Sequence, residues 1–374
     1  MNCSGIKYLV LSDIHLGHNR TKTDYIINNL EELFRKNHSK FKKLDIIFLA
    51  GDVFDKLLSS CSDELIASTE WLSKLAMYCV SNHIRLRVLE GTPSHDWKQM
   101  ALFATTLKAL CIDIDYKYID YLNIEYMEDL GINILYVPDE WNRVAGDTLD
   151  DVNLLLSKRG IKKVDIAIMH GQFNYQLPMI ELESSHNEDA YHELVKYYIN
   201  IGHIHTPSVY NRILAQGSFD RLAHNEEEDK GCILVNIYHT GDMDFLFIKN
   251  PNPQPYKKYD LSTMETSKIV KFLDRELNKL KLGTRVKLVV SNTTINKLLI
   301  PIKDKYKDLI ITIDKKKKVI DSDKVVNNRV VFTPFEITKD NIKELLLQEL
   351  SKYDISTIDI NLVTSELDEI INIP

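Results

Sequence analysis

Cysteine is scarce in this 374-residue sequence: Cys3, Cys61, Cys79, Cys111 and Cys232 are the only five, and none forms a CxxC pair. That scatter excludes a disulfide scaffold, points to a reducing, cytoplasmic compartment and leaves the thiols as small core residues. No apolar run approaches the ~20 residues of a membrane span, so no membrane partner is expected. Met1 to Lys7 lacks a basic region leading into an apolar stretch, so no signal peptide is expected. With only 13 Gly and 10 Pro, 44% hydrophobic and 27% charged residues, collagen-like and disordered classes are also excluded. No internal repeat is present, and the only low-complexity run is Lys315 to Lys318. An excess of basic charge is missing too. There are 47 Lys+Arg against 54 Asp+Glu, net −7, which taken whole counts against a nucleic-acid partner.

The charge is divided unevenly. Residues 1–255 carry 25 basic and 36 acidic side chains, 256–330 carry 19 and 9, and 331–374 carry 3 and 9. The net values are therefore −11, +10 and −6, a division that marks modules with different partners. Asn250-Pro251-Asn252-Pro253-Gln254-Pro255 can sustain neither helix nor central strand and reads as a linker. A second break falls near Thr333-Pro334. Three units follow: 1–250, 256–330 and 335–374.

Short apolar runs alternate with helical periodicity. Strands are expected at 7–11, 44–49, 84–89, 132–137, 164–169, 197–201, 232–238 and 244–249, and helices at 23–36, 65–80 and 149–158. The class is α/β with a buried, largely parallel sheet. His239-Thr240-Gly241-Asp242 signals a hairpin between the last two strands. Residues 256–330 repeat the alternation as a small α+β module, and 338–353 form an amphipathic helix with a wide leucine stripe.

The chemistry lies in where His and Asp fall. Asp13 and His15 leave the first strand as LSDIHLGH, and Asp52 and Asp55 leave the second as AGDVFD. His95 and Asp96 follow the third in LEGTPSHDW. His170 ends VDIAIMHG, and His203 and His205 lie in NIGHIHTP. Five strand ends thus present imidazoles and carboxylates, where open α/β sheets bind ligands. Nitrogen and oxygen donors without thiolate suit Mn, Fe or Zn. Their number exceeds the needs of one ion, so two are expected, of the kind that in phosphoryl transfer lie about 3.5–4 Å apart.

With these motifs in order, the chain resembles the calcineurin-like metallophosphoesterases, and within them the SbcD-type DNA-repair nucleases. GDVFD, GHIHTP and the segment Ala215 to Val235 (AQGSFDRLAHNEEEDKGCILV) carry the closer likeness. The resemblance implies a sandwich of two mixed sheets flanked by helices, a small α+β DNA-capping domain and a C-terminal helical segment. It implies two divalent ions, most simply Mn²⁺. Asp13, His15 and His205 would hold one, His170 and His203 the other, and Asp52 would bridge. His95 would be the catalytic histidine, with Asp55 and Asp96 supporting the ligands. The implied activity is 3′-to-5′ exonuclease and single-strand endonuclease cleavage of DNA. The implied partners are DNA, a coiled-coil SbcC-type ATPase bound through the C-terminal helix, and a second copy of the chain.

One departure stands out. The family places Asn before the catalytic His as a ligand to the second ion. Here Ser94 takes that place, two residues further from the glycine (Gly91-Thr92-Pro93-Ser94-His95-Asp96). Three readings stay open: Ser94 or a water fills the place, the second ion binds weakly, or the chain is a DNA-binding scaffold without nuclease activity. Lys315, Lys316, Lys317 and Lys318 read either as phosphate contacts or as a solvated strand edge. Tyr256 and Tyr259 are further aromatic candidates, Trp97 could wall the site or pack in the core, and His18 could line its entrance. Asp139, in Pro138-Asp139-Glu140, follows a strand and could reach the cleft.

Overall fold

The computed structural model describes residues 5–177, 182–291 and 296–315. Lys316 to Lys318, the rest of the expected capping domain and the whole expected C-terminal segment lie outside the described residues.

Two six-stranded sheets form the body. The first has the order β12-β11-β1-β2-β3-β4. It is built from β1 (Ile6–Leu11), β2 (Ile46–Ala50), β3 (Arg85–Leu89), β4 (Tyr116–Ile119), β11 (Gly231–Ile237) and β12 (Met243–Lys249). The second runs β5-β6-β7-β8-β10-β9. Its strands are β5 (Asn123–Met127), β6 (Ile132–Val137), β7 (Ile166–Gly171), β8 (Ile199–His203), β9 (Ser208–Tyr210) and β10 (Ile213–Ala215). The expectation of one largely parallel sheet holds only for the inner strands. β1 through β4 are parallel, as are β6, β7, β8 and β10, but β11, β12, β5 and β9 pair antiparallel. Each sheet is therefore mixed. The β11–β12 hairpin closes at the expected turn, where Tyr238 N–H donates to Asp242 O at 2.8 Å.

Alternate side chains of one strand serve different layers, because successive strand residues point to opposite faces. Leu9, Leu11, Ile47 and Leu49 face a core shared with α1 (Thr23–Lys36) and α3 (Asp63–Asn82). Tyr8, Val10, Ile46 and Phe48 face the second sheet and meet Ile134, Tyr136 and Ile168. The far side of that sheet packs Val137, Ala167 and Ile199 against Val152 and Leu156 of α6 (Ala145–Arg159) and Tyr191 of α7 (Glu188–Leu194). The layers are α/β/β/α, the expected sandwich. The one-turn α2 (His38–Phe41) and α4 (Pro93–Asp96), and α5 (Gln99–Ala109), complete this part.

Residues 256–315 form a parallel sheet β13-β14-β15 (Tyr256–Asp260, Arg285–Val290, Ile310–Lys315) with α8 (Thr266–Leu277) and α9 (Asn296–Lys305). Ile269, Leu273, Val286, Leu288 and Ile302 give it a core of its own. The proline-rich stretch before it is no loose tether. The fully buried Asp220 accepts from Gln254 N–H at 2.6 Å and Asn250 Nδ2 at 3.1 Å, and Asn252 O accepts from Asn29 Nδ2 at 2.8 Å. Tyr256 is buried, bonding Thr21 Oγ1 (3.0 Å) and Leu222 O (3.1 Å), while Tyr259 packs on Phe272. Both tyrosines do packing work. No helix among the described residues is long and apolar enough to cross a membrane.

Candidate metal centre

Both sheets deliver residues to one place. Asp13 and His15 follow β1, Asp52 and Asp55 follow β2, and the turn Gly91 to Asp96 follows β3. Asp139 follows β6, His170 ends β7, and His203 ends β8 with His205 just beyond. The backbone is bent hard to aim them. Asp13, His15, Asp52 and His203 have φ of 49°, 53°, 50° and 102°, a region only a few per cent of non-glycine residues occupy. The bends are held by Asp13 N–H to Gly51 O (3.1 Å) and His15 N–H to Asp52 O (3.1 Å). Gly91 lets β3 approach, since a Cβ there would lie 2.1 Å from Asp52 N.

The donors converge in sets. Asp13, His15 and His205 form one, and Asp52, His170 and His203 another, with the ligand atoms of each set within 4.8 Å of one another. A third set, His15, Asp52 and His95, overlaps them. Asp52 is divided between the sides. Its Oδ1 lies 3.3 Å from His170 Nε2, and its Oδ2 lies 3.7 Å from His15 Nε2 and 2.8 Å from His95 Nδ1. Two observations fit cations here. His170 Nε2 is fully buried without a hydrogen bond, and His15 Nε2 and His205 Nε2 face each other at 3.2 Å. Buried nitrogens left with open lone pairs are what a divalent ion takes.

Supporting groups fix the imidazoles. His170 Nδ1 lies 2.7 Å from Ala50 O and so carries the proton, turning the Nε2 lone pair to Asp52. Asp55 Oδ1 is 3.1 Å from His15 Nδ1. Asp96 sits below the turn and accepts from Phe54 N–H (2.9 Å) and Gly91 N–H (2.8 Å). Burial, with Asp52 and Glu90 nearby, pushes its carboxyl up to about 8. Burial alone would raise Asp52, but His170 and His95 hold it well below the usual carboxylate range. The hydrogen bond to Asp52 raises the pKa of His95, whose side chain stays 37% exposed.

Thr92 and Glu226 were not read from the sequence as site residues, and Asp139 was read only as one that could reach the cleft. Thr92 Oγ1 lies 3.3 Å from Asp52 Oδ2, 3.0 Å from Asp139 Oδ2 and 3.4 Å from His203 Nδ1, and Thr92 N–H donates to Asp52 Oδ1 at 2.6 Å. Asp139 Oδ2 is 3.4 Å from His203 Nδ1. Glu226 Oε1 lies 3.0 Å from His205 Nδ1, while its Oε2 pairs with the buried Lys230 at 3.0 Å. Burial opposes that charge, but His205 and Lys230 hold Glu226 at about 2. Its signal in the sequence was the acidic run in the segment already quoted. Ser94 is exposed on α4, while Thr92 is the residue of this turn whose hydroxyl reaches Asp52 and His203. His18 Nδ1 accepts from Thr21 N–H at 3.0 Å and shapes its own loop. Trp97 is 55% exposed, so core packing does not explain it. It lines a cleft of about 600 Å³ with Trp141, Pro138 and Asp139. Lys315, at the end of β15, is exposed.

The family described as calcineurin-like phosphoesterase matches residues 6–207. No curated protein matches the chain. A crystal structure of TT1561 from Thermus thermophilus is 10% identical, covering 66% of this chain and 100% of that one with a TM-score of 0.40. A second solved structure is 10% identical over 65% of this chain and 99% of its own, also at 0.40. At that similarity neither carries an argument.

Proposed function

This chain belongs to the calcineurin-like phosphoesterase family, and we propose that within it the protein is a Mn²⁺-dependent DNA nuclease. Metal-dependent phosphoester hydrolysis is the family's chemistry. The observation that carries it here is the pair of His/Asp sets meeting at the two oxygens of Asp52. Asp13, His15 and His205 would hold one ion, and His170 and His203 the other. Bound ions supply an acidified water and neutralise the phosphoryl oxygens. The protein's own residues do the rest. His95, 2.8 Å from Asp52 and with its pKa raised by that hydrogen bond, is placed to give a proton to the leaving oxygen, a role worth roughly 10²–10⁴ in rate. Asp55 and Glu226 keep His15 and His205 in register.

What supports DNA as substrate is the likeness to SbcD-type nucleases together with the +10 charge of residues 256–330. The reading includes exonuclease and single-strand endonuclease action, a homodimer, an SbcC-type ATPase partner and a cytoplasmic setting. A second reading, a phosphodiesterase for a smaller ester, is favoured by the Trp97–Trp141 cleft beside Asp139, whose volume of about 600 Å³ is in the range of small-molecule sites. The test is digestion of end-labelled duplex and single-stranded DNA in Mn²⁺, with bis(p-nitrophenyl) phosphate alongside. DNA cleavage that falls roughly 10²–10⁴-fold in His95→Gln is expected. Turnover of the small ester alone would select the second reading, and turnover of neither would refute both.

A further inference from the structure

The turn after β3 departs from its family where the second ion needs a ligand. Three readings of Ser94 followed from the sequence, each taking the residue before His95 as the one that counts. The structure puts Ser94 on the exposed side of α4, at the rim of a cleft that Asp139 also lines, and puts Asp139 next to His203, just outside the set of Asp52, His170 and His203. Asp139 is only 11% exposed, with Oδ2 3.4 Å from His203 Nδ1 and 3.0 Å from the Thr92 hydroxyl, which itself lies 3.3 Å from Asp52 Oδ2. Room is made for it. Gly171 follows His170, and a Cβ there would lie 3.3 Å from Asp139 Oδ1. Trp141, two residues on, donates to Asp151 at 3.0 Å, and Glu140 N–H donates to Asp139 Oδ1 at 3.0 Å.

We propose that Asp139 is a ligand of the second metal ion, standing where the family uses Asn, with the Thr92 hydroxyl positioning it. A neutral amide oxygen is thereby exchanged for a carboxylate. Hard divalent cations prefer the anionic oxygen. The second site becomes Asp52, Asp139, His170 and His203, two carboxylates and two imidazoles. The change explains how a chain without the family Asn keeps two sites, and it makes Ser94 dispensable. The proposal rests on the two-ion reading above but not on DNA being the substrate.

The test is titration of the metal-free full-length chain with Mn²⁺, followed by loss of the free-ion EPR signal, with circular dichroism as the check on folding. Wild type should bind two ions. Asp139→Ala should keep one tight ion and weaken the other by at least about tenfold, since even groups that only support a ligand are worth 10–100-fold. Asp139→Glu, which retains the carboxylate on a longer arm, should fall between, and Ser94→Ala should match wild type. Two equally tight ions in Asp139→Ala, a second ion lost in Ser94→Ala, or one ion in wild type would each overturn the assignment. Two ions in wild type without DNA cleavage would sink the nuclease reading and leave this one standing.

Discussion

Replacing Asp220 by Ala tests how the catalytic body holds the stretch leading to β13. The carboxylate is fully buried and accepts four hydrogen bonds. Oδ1 takes Arg221 N–H (2.7 Å) and Gln254 N–H (2.6 Å), and Oδ2 takes Asn29 Nδ2 (2.8 Å) and Asn250 Nδ2 (3.1 Å). After truncation the two amides keep other acceptors, Asn252 O at 2.8 Å and Phe219 O at 3.0 Å. The two backbone N–H groups lose theirs. A stranded buried donor costs about 1–3 kcal/mol, so the pair costs about 2–6 kcal/mol. Burial raises the Asp220 pKa, so the charge itself is held at some expense, and its removal offsets part of the loss. The expected net destabilisation is about 2–4 kcal/mol. Asp220→Asn should lose less, since its oxygen still serves the backbone while its NH₂ faces two amide donors. Urea unfolding followed by circular dichroism reads both. A loss below about 1 kcal/mol in Asp220→Ala would show that this junction does not depend on the clasp.

Two further outcomes concern protons and metal. His186 is buried beside Phe173 and Tyr191, and burial lowers its pKa from 6.5 to about 4 although Asp139 pulls the other way. A depressed histidine contributes stability that is present above the unfolded value and is lost as pH falls through the window from 6.5 toward 4. Between pH 7 and pH 5 in EDTA this amounts to about 2 kcal/mol, so His186→Gln should flatten the stability–pH slope by that much. An unchanged slope in urea melts would rule the burial account out. Binding of Mn²⁺ to the folded state alone should stabilise it by about 2.7 kcal/mol at a hundred times Kd, raising the Tm by several degrees. EDTA should reverse the shift and His170→Ala should diminish it in differential scanning calorimetry. A Tm indifferent to Mn²⁺ would mean that the converging donors do not bind it.

Much of the fold was legible because its strands announce themselves. LVL in β1 and IIFLA in β2 are buried on both faces, so they read as apolar runs. Of the antiparallel edges, β11–β12 showed through its hairpin turn, while β5 and β9 were hidden because pairing direction leaves little trace in a strand's composition. The helix α5 was missed for a local reason. Met100, Phe103 and Leu107 face the core, but Leu102 is 70% exposed on the other side and blurs the stripe. The proline-rich stretch misled in the opposite way. Its composition forbids regular structure, yet hydrogen bonds from Asp220 and Asn29 order it without any. Composition reports what a segment cannot form, and only its neighbours determine whether it is fixed.

The site shows the same limit more sharply. Each imidazole and carboxylate at a strand end could be found because the strand fixes where the next few residues go. Two countings were available at Gly91-Thr92-Pro93-Ser94-His95, one backward from His95 and one forward from Gly91, and they select different residues. The forward counting is the physical one. Gly91 lies against Asp52, and Thr92 N–H is tied to Asp52 Oδ1 at 2.6 Å, so the position after the glycine cannot drift. The two extra residues are absorbed further on, where Pro93 starts the single turn of α4 and carries Ser94 outward. His95 still reaches Asp52 because that turn brings it back over the strand end. Asp139 was harder to see, since it comes from the other sheet and no motif links it to the β3 turn. Only the meeting of β3 and β6 at one edge of the sandwich puts its carboxylate 3.0 Å from Thr92. A ligand set drawn from two sheets is therefore readable strand by strand, except where one sheet compensates for a change in the other.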